Sequence, residues 1–283
     1  MSLLLCKREA ENPFYIEKLD IRLWSMQELC YVIYNHPLLA AEDLRDSEEF
    51  CRWLREDAAQ GFLAAKIEQI RAAAKSEDRD PTDELMLAVL RDCNYYAPGE
   101  IEACRRRLQT YQECQPEDRA HAEGVSLFRL RRYRMAEERF RTEEMLLRER
   151  AERLRPGQEQ EALRRRISET LCDLAVIRLH LFEKEEAKAL LREAGQTADC
   201  RRAARLFYLL EDTENGQAAD LMEMLTDEEK SGLDRKREEA RLHALSGGRM
   251  QAVSRLFEQD PVKRGTACTE LLRKWKKEYR RMR

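Results

Sequence analysis

Strand-forming patterns are nearly missing from this chain. β-branched residues are sparse and never alternate over a useful length, which argues against a sheet-based core. Glycine and proline are also scarce, with 10 and 7 in 283 residues, as in a chain of long helices. No apolar run approaches the 18 residues a membrane span requires. Met1-Ser-Leu-Leu-Leu-Cys6 has neither a basic leader nor an apolar stretch long enough for a signal, so Cys6 reads as an ordinary residue. There is no CxxC among the nine cysteines, no HExxH, no glycine-rich phosphate loop and no nucleophile elbow. The four histidines are dispersed, and Asp118-x-x-His121 is a single carboxylate–histidine step where a di-iron bundle needs two. These absences predict a non-enzyme with no metal, no cofactor and no small-molecule substrate. An odd number of scattered cysteines predicts packed, reduced thiols and a cytoplasmic protein.

What remains is the composition of long helices. Charged residues make up 38% of the chain, at a net charge of −3, and Ala, Leu, Glu and Arg dominate. A balance so close to neutral draws the whole molecule to no polyanion. Arg105–Arg107, Arg131-Arg132 and Arg164–Arg166 lie beside glutamates and read as solvated faces with i,i+4 ion pairs. Residues 261–283 differ, with nine Lys/Arg against Glu270 and Glu278. Leu271, Leu272, Trp275 and Tyr279 line one face of that basic helix, which reads first as closing the last hairpin. An anionic membrane surface, a nucleic-acid backbone or an acidic groove is the alternative ligand for it.

In chain order, Asn12–Tyr15 reads as a turn and Ile21–Trp24 as briefly extended. Ser25-Met-Gln-Glu28 is a capping box opening a helix that His36-Pro37 ends. Asp46-Ser-Glu-Glu opens another, carrying Phe50, Trp53 and Leu54, and a third follows Gly61. The middle helix is too acidic to lie along phosphates. The predicted organisation is an N-terminal helical cap over 1–75, a linker candidate at 76–81, helical hairpins over 82–260 and the basic helix over 261–283. Within the array, Arg155-Pro156-Gly157 stops one helix, a long helix runs from Gln158 through Leu181, and Gly195 is read as the C-cap of the return helix Glu183–Ala194.

One small-residue pattern recurs. Gly124, Ala136 and Phe140 are separated by twelve and four positions, as are Ala175, Ala187 and Leu191, and again Ala240, Ala252 and Leu256. A degenerate set is Leu206, Ala218 and Met222. Small residues facing each other across a tight turn let two helices approach closely, and the bulky residue fills the space beside the crossing. The pattern resembles the tetratricopeptide repeat, although the spacings of 51 and 65 residues exceed the family's ~34. The resemblance implies an all-α solenoid of stacked antiparallel hairpins that binds peptides or proteins along the groove lined by each first helix. On that reading the groove residues are His121, Val125 and Arg129 around Gly124, Val176 and His180 around Ala175, and Arg237 and Arg241 around Ala240. Asp118, Glu169, Cys172, Asp234 and Leu245 complete the stripes. The expected function is a non-catalytic adaptor or assembly factor binding a protein or peptide. The alternative is a ligand-sensing regulator binding nucleic acid through its N-terminal helices or basic C-terminal helix.

Overall fold

The computed structural model describes residues 9–210, 219–246, 248, 251, 255 and 261–282. Among these the chain is all-α apart from one short hairpin, with fourteen helices. It divides into two compact units between Gln115 and Pro116.

The first unit opens with β1 (Phe14–Ile16) paired antiparallel to β2 (Ile21–Leu23), with Phe14 opposite Leu23. The segment read as a turn at Asn12–Tyr15 therefore contains a strand. Three residues are too few for alternation to be visible in sequence, and tertiary contacts decide the matter. The Phe14 ring packs 5.3 Å from Phe50 and 5.6 Å from Trp53, and the Trp53 indole donates to the Asn12 carbonyl at 2.9 Å. The Ser25 cap forms as expected, and the Glu28 side chain reaches back one residue beyond it. Glu28 N–H donates to Ser25 Oγ at 3.2 Å, while the Glu28 carboxylate accepts from Trp24 N–H. It opens α1 (Met26–Asn35). Pro37 ends α1 and is also the first residue of a helix the sequence did not reveal, α2 (Pro37–Asp46). Its fixed φ and missing N–H suit a first turn, where that donor has no partner anyway.

Four more helices follow, α3 (Glu48–Glu56), α4 (Gly61–Glu77), α5 (Thr82–Cys93) and α6 (Pro98–Glu113). Leu29, Ile33, Phe50, Leu54, Leu63, Ile67, Leu85 and Met86 are fully enclosed among them. The linker candidate 76–81 lies inside this unit and is ordered by its own polar groups. Asp78 takes a left-handed conformation to end α4, and the Asp80 carboxylate accepts from Thr82 N–H at 2.9 Å to open α5. Polar composition there serves capping, so the division of the chain falls further on.

The second unit is built on α7 (Pro116–Arg129), α8 (Tyr133–Arg153), α9 (Gln158–His180) and α10 (Lys184–Thr197). Side-chain pairs run in opposite directions along each neighbouring pair of helices, as antiparallel packing requires. Glu117 meets Arg150 and Gly124 meets Phe140 between α7 and α8. Gln160 meets Ala151 and Arg166 meets Glu143 between α8 and α9. Ser168 Oγ donates to the Ala194 carbonyl between α9 and α10. Then come α11 (Arg201–Leu210), α12 (Ala219–Glu223), α13 (Asp227–Ser246) and α14 (Pro261–Met282).

The first two small-residue sets are crossings. Ala136, Ala175, Ala187 and Leu191 are 0% exposed, and a Cβ at position 124 would lie 3.1 Å from the Phe140 ring. In the third set Ala240 is exposed on α13, so it packs no crossing, while Ala252 and Leu256 lie outside the described residues. Cys6, Ala218, Asn215-Gly216 and Gly247 also lie outside them. Gly195 is not a C-cap. Helix α10 continues to Thr197, and a Cβ at position 195 would lie 2.5 Å from Leu221 Cδ2. That glycine permits close approach by α12 and supplies no left-handed turn.

Glutamates are unusually deep in α7 and α8. Glu117, Glu123, Glu137, Glu143 and Glu144 are all at least nine-tenths buried, and each faces an arginine. The arginine runs thus divide. Arg165 makes the expected i,i+4 pair with Glu161. Arg166 instead reaches across helices to Asp118 at 2.5 Å and Glu143 at 3.0 Å. A buried carboxylate needs such partners, because desolvation alone would cost several kcal/mol.

Candidate functional site

The two hairpin turns have one backbone geometry, repeated at a shift of 51 residues. In the first, Arg132 N–H donates to Leu127 O, and Arg131 N–H to Phe128 O, with Arg131 left-handed at φ 60°. In the second, Glu183 N–H donates to Arg178 O, and Phe182 N–H to Leu179 O, with Phe182 left-handed at φ 63°. Each is a Schellman ending, with a 6→1 and a 5→2 hydrogen bond. Its last residue also starts the next helix, since Ala136 N–H bonds Arg132 O and Ala187 N–H bonds Glu183 O. Glycine is the usual occupant of the left-handed position. Here the occupants are arginine and phenylalanine.

Between the turns lies an open cavity of about 490 Å³, lined by Phe128, Arg129, Arg131, Tyr133, Leu179, His180 and Phe182. Its aromatic wall is continuous. The His180 ring stacks on Tyr133, with centroids 4.5 Å apart and planes 14° apart, and meets Phe128 edge-on at 5.3 Å. Burial and the neighbouring Arg131 guanidinium hold the His180 pKa below its usual value, so this ring is neutral at pH 7. Positive charge is supplied by Arg129 and Arg131, which are exposed and form no ion pair among the described residues. Phe182 is 80% exposed, and its ring meets Tyr279 of the basic α14 at 6.0 Å. Behind the cavity, Arg134 and Arg178 both contact Glu137 and Glu183, with Arg134–Glu183 and Arg178–Glu183 each at 2.6 Å. This four-membered charge cluster ties the start of α8 to the end of α9.

Two of the sequence-derived groove residues, Arg129 and His180, meet in this cavity. Val125 and Val176 are half-buried on α7 and α9 and do not line it. His121 belongs to a separate charged row. Its Nδ1 lies 2.9 Å from Glu143 Oε2, and Glu143 also accepts from Arg166, which holds Asp118. The hydrogen bond to Glu143 raises the His121 pKa. The row continues with Arg202 of α11, which pairs with Glu169 at 3.0 Å and Asp173 at 2.6 Å. Cys172 is buried below it. Arg237 lies on α13, stacked 5.4 Å from the Tyr208 ring and donating to the Tyr208 carbonyl. Arg241 is exposed beside Glu238.

Sequence reasoning missed Phe128, Arg131, Tyr133, Leu179 and Phe182. The available signal was an aromatic residue where two helices meet without glycine. No group of residues suited to hold a metal occurs among the described residues, and no described helix is long and apolar enough to cross a membrane. The described residues are mostly helical, and the second unit carries a turn-lined aromatic recess. No protein-family model, curated protein or solved structure matches the chain.

Proposed function

We propose that the protein is a non-catalytic, cytoplasmic adaptor whose second unit works as a tetratricopeptide-like hairpin array and captures a partner protein by a short acidic segment. The segment carries a carboxylate next to an aromatic or large aliphatic side chain, which enters the cavity between the turns of α7/α8 and α9/α10. The observation that carries the reading is a pair of guanidiniums, Arg129 and Arg131, that no acid neutralises among the described residues, beside three packed rings. Arginine forks suit carboxylates, and an aromatic wall suits the apolar neighbour. Phe182 adds weight. A bulky residue in a left-handed turn costs on the order of 1–2 kcal/mol, and an exposed ring recovers little of that by packing.

The probes are fluorescein-labelled hexapeptides containing Asp-Phe or Glu-Tyr, titrated by fluorescence anisotropy against the full chain. Binding should weaken at least tenfold in Arg129→Glu/Arg131→Glu and be unchanged in Arg241→Glu, whose site lies on α13. Equal affinity for Lys-Phe peptides, or an unaffected double variant that remains folded, would overturn the reading.

The nucleic-acid alternative draws on one contact, that of Tyr279 in the basic α14 with Phe182. A gel shift over a salt series decides between them. Binding of DNA at physiological salt with a steep salt slope would favour the regulator.

A further inference from the structure

A pair of thiols lies outside the cavity, where α9 meets the start of α11. Cys172 Sγ and Cys200 Sγ are 3.8 Å apart, and the two residues are 28 positions apart in the chain. A second thiol pair, Cys30 with Cys93, lies in the first unit, where the hydrogen bond between them raises the Cys30 pKa and lowers that of Cys93.

The two thiols have different surroundings. Cys172 is fully enclosed in α9. Cys200 is the N-cap of α11, because its carbonyl accepts from Ala204 N–H at 3.2 Å. Contact with the Cys172 thiol and, less strongly, with the Ala203 N–H draws the Cys200 pKa down to about 6, against burial and Glu169. The same contact with Cys200, and then burial, push the Cys172 thiol up. Thiols at helix N-termini become nucleophilic in this way. Position divides the pair. Cys200, at the start of α11 and beside the α10–α11 connection, is the thiol a reagent reaches first, and Cys172, enclosed in α9, is the resolving one. Cys200 Sγ also lies 3.7 Å from Glu169 Oε1. Cys200 is 5% exposed and follows the exposed Asp199 in the α10–α11 connection, so any co-reactant that reaches it must be small.

We propose that Cys172 and Cys200 form a thiol–disulfide site whose co-reactant is a small-molecule disulfide of the glutathione class. The Cys200 thiolate attacks one sulfur of the disulfide, forming a mixed disulfide and releasing one small thiolate, which takes up a proton. Cys172 then gives up its proton and attacks the Cys200 sulfur, which expels the second small thiol and closes the Cys172–Cys200 bridge. Two electrons pass from the protein's thiols to the small disulfide, which leaves as two thiols. Closure needs the sulfurs to move from 3.8 Å to about 2.05 Å, the length of an S–S bond. The bridge staples α9 to α11.

The test treats the full chain anaerobically with oxidised glutathione, alkylates it, and maps unreduced peptides by mass spectrometry. The expected product is a Cys172–Cys200 linked peptide that dithiothreitol reverses. The bridged protein should melt a few degrees higher than the reduced one. Cys172→Ser should trap one glutathione on Cys200, and Cys200→Ser should leave Cys172 free. The half-exposed Cys114 reports that the reagent was active. The proposal is overturned if Cys114 is glutathionylated while Cys172 and Cys200 both remain free in the wild type. It also fails if the bridge forms only in urea. Wild-type mapping decides even if a variant does not fold.

Discussion

The hairpins α7/α8 and α9/α10 have the same turn and the same crossing positions, yet they fill the crossing differently. The first places Gly124 against the Phe140 ring, and the second places Ala175 with Leu191 at the equivalent positions. A methyl gained on one helix accompanies a ring reduced to an isobutyl group on the other. Their wider interfaces differ more. The buried glutamates of the first hairpin pair with arginines both within it and on α9, while in the second hairpin Ser168 and Cys172 are buried on the helix that carries Ala175. What repeats is therefore a backbone arrangement held by 51-residue spacing, and its side chains are free to change in compensating pairs.

The charge threading should give the largest effect. Arg166→Met leaves Glu143, 1% exposed, with only His121 opposite it. We expect a loss of about 3 kcal/mol in urea unfolding, because a buried carboxylate loses its main partner. Arg165→Met, at an exposed i,i+4 pair, should change stability by less than ~0.5 kcal/mol. Equal losses would remove the distinction between threaded and solvated arginines. Next, Gly124→Leu should cost about 2–3 kcal/mol by overpacking against Phe140. The sharper form is a cycle that converts one crossing into the other. Gly124→Ala should be neutral or destabilising in the wild type, where the added Cβ meets the ring at 3.1 Å. In a Phe140→Leu background it should stabilise by up to ~1 kcal/mol, as helix propensity predicts once the ring is gone. Additive effects would show that the two positions do not compensate.

The turns give a smaller effect with opposite signs in two assays. Phe182→Gly should raise stability by roughly 0.5–1 kcal/mol, because glycine tolerates the left-handed backbone, and should weaken peptide binding. A stability loss would mean that Phe182 packs more than its exposure implies. The smallest effect is a dependence on pH. The folded His121 pKa is raised by Glu143, so its contribution is fully present below about pH 6.5, the unfolded value, and is lost as pH rises through the folded value. His121→Gln should therefore cost a few tenths of a kcal/mol at pH 5.5, given that the ring is partly exposed, and nothing measurable at pH 8.5. A constant difference across that range would detach His121 from Glu143.

Much of the helical architecture was legible. The Ser25 cap and the stop at Pro156 are local chemistry, and the structure has each where its residues occur. The helix expected to open at Asp46 is capped one residue later by Ser47, because Asp46 ends α2. The misreadings have a common form. Gly195 and the segment 76–81 carry residues with two uses, and composition favours the commoner one. Glycine ends helices and also admits close neighbours, and polar residues form linkers and also cap helices. The candidate site was half legible. Arg129 and His180 follow from helical phase counted from Gly124 and Ala175, but Arg131 and Phe182 enter the cavity through left-handed backbone that no periodicity describes.

By itself the sequence determined the helical class, most helix ends and the two small-residue crossings. Those depend on interactions within a few residues or on a fixed step of 100° along a helix. Only the tertiary structure decided which arginines reach across helices to buried glutamates, that Cys200 meets Cys172 from 28 positions away, and that two turns 51 residues apart enclose one cavity. Each of those depends on how separate helices align in space, and local periodicity carries no record of that alignment.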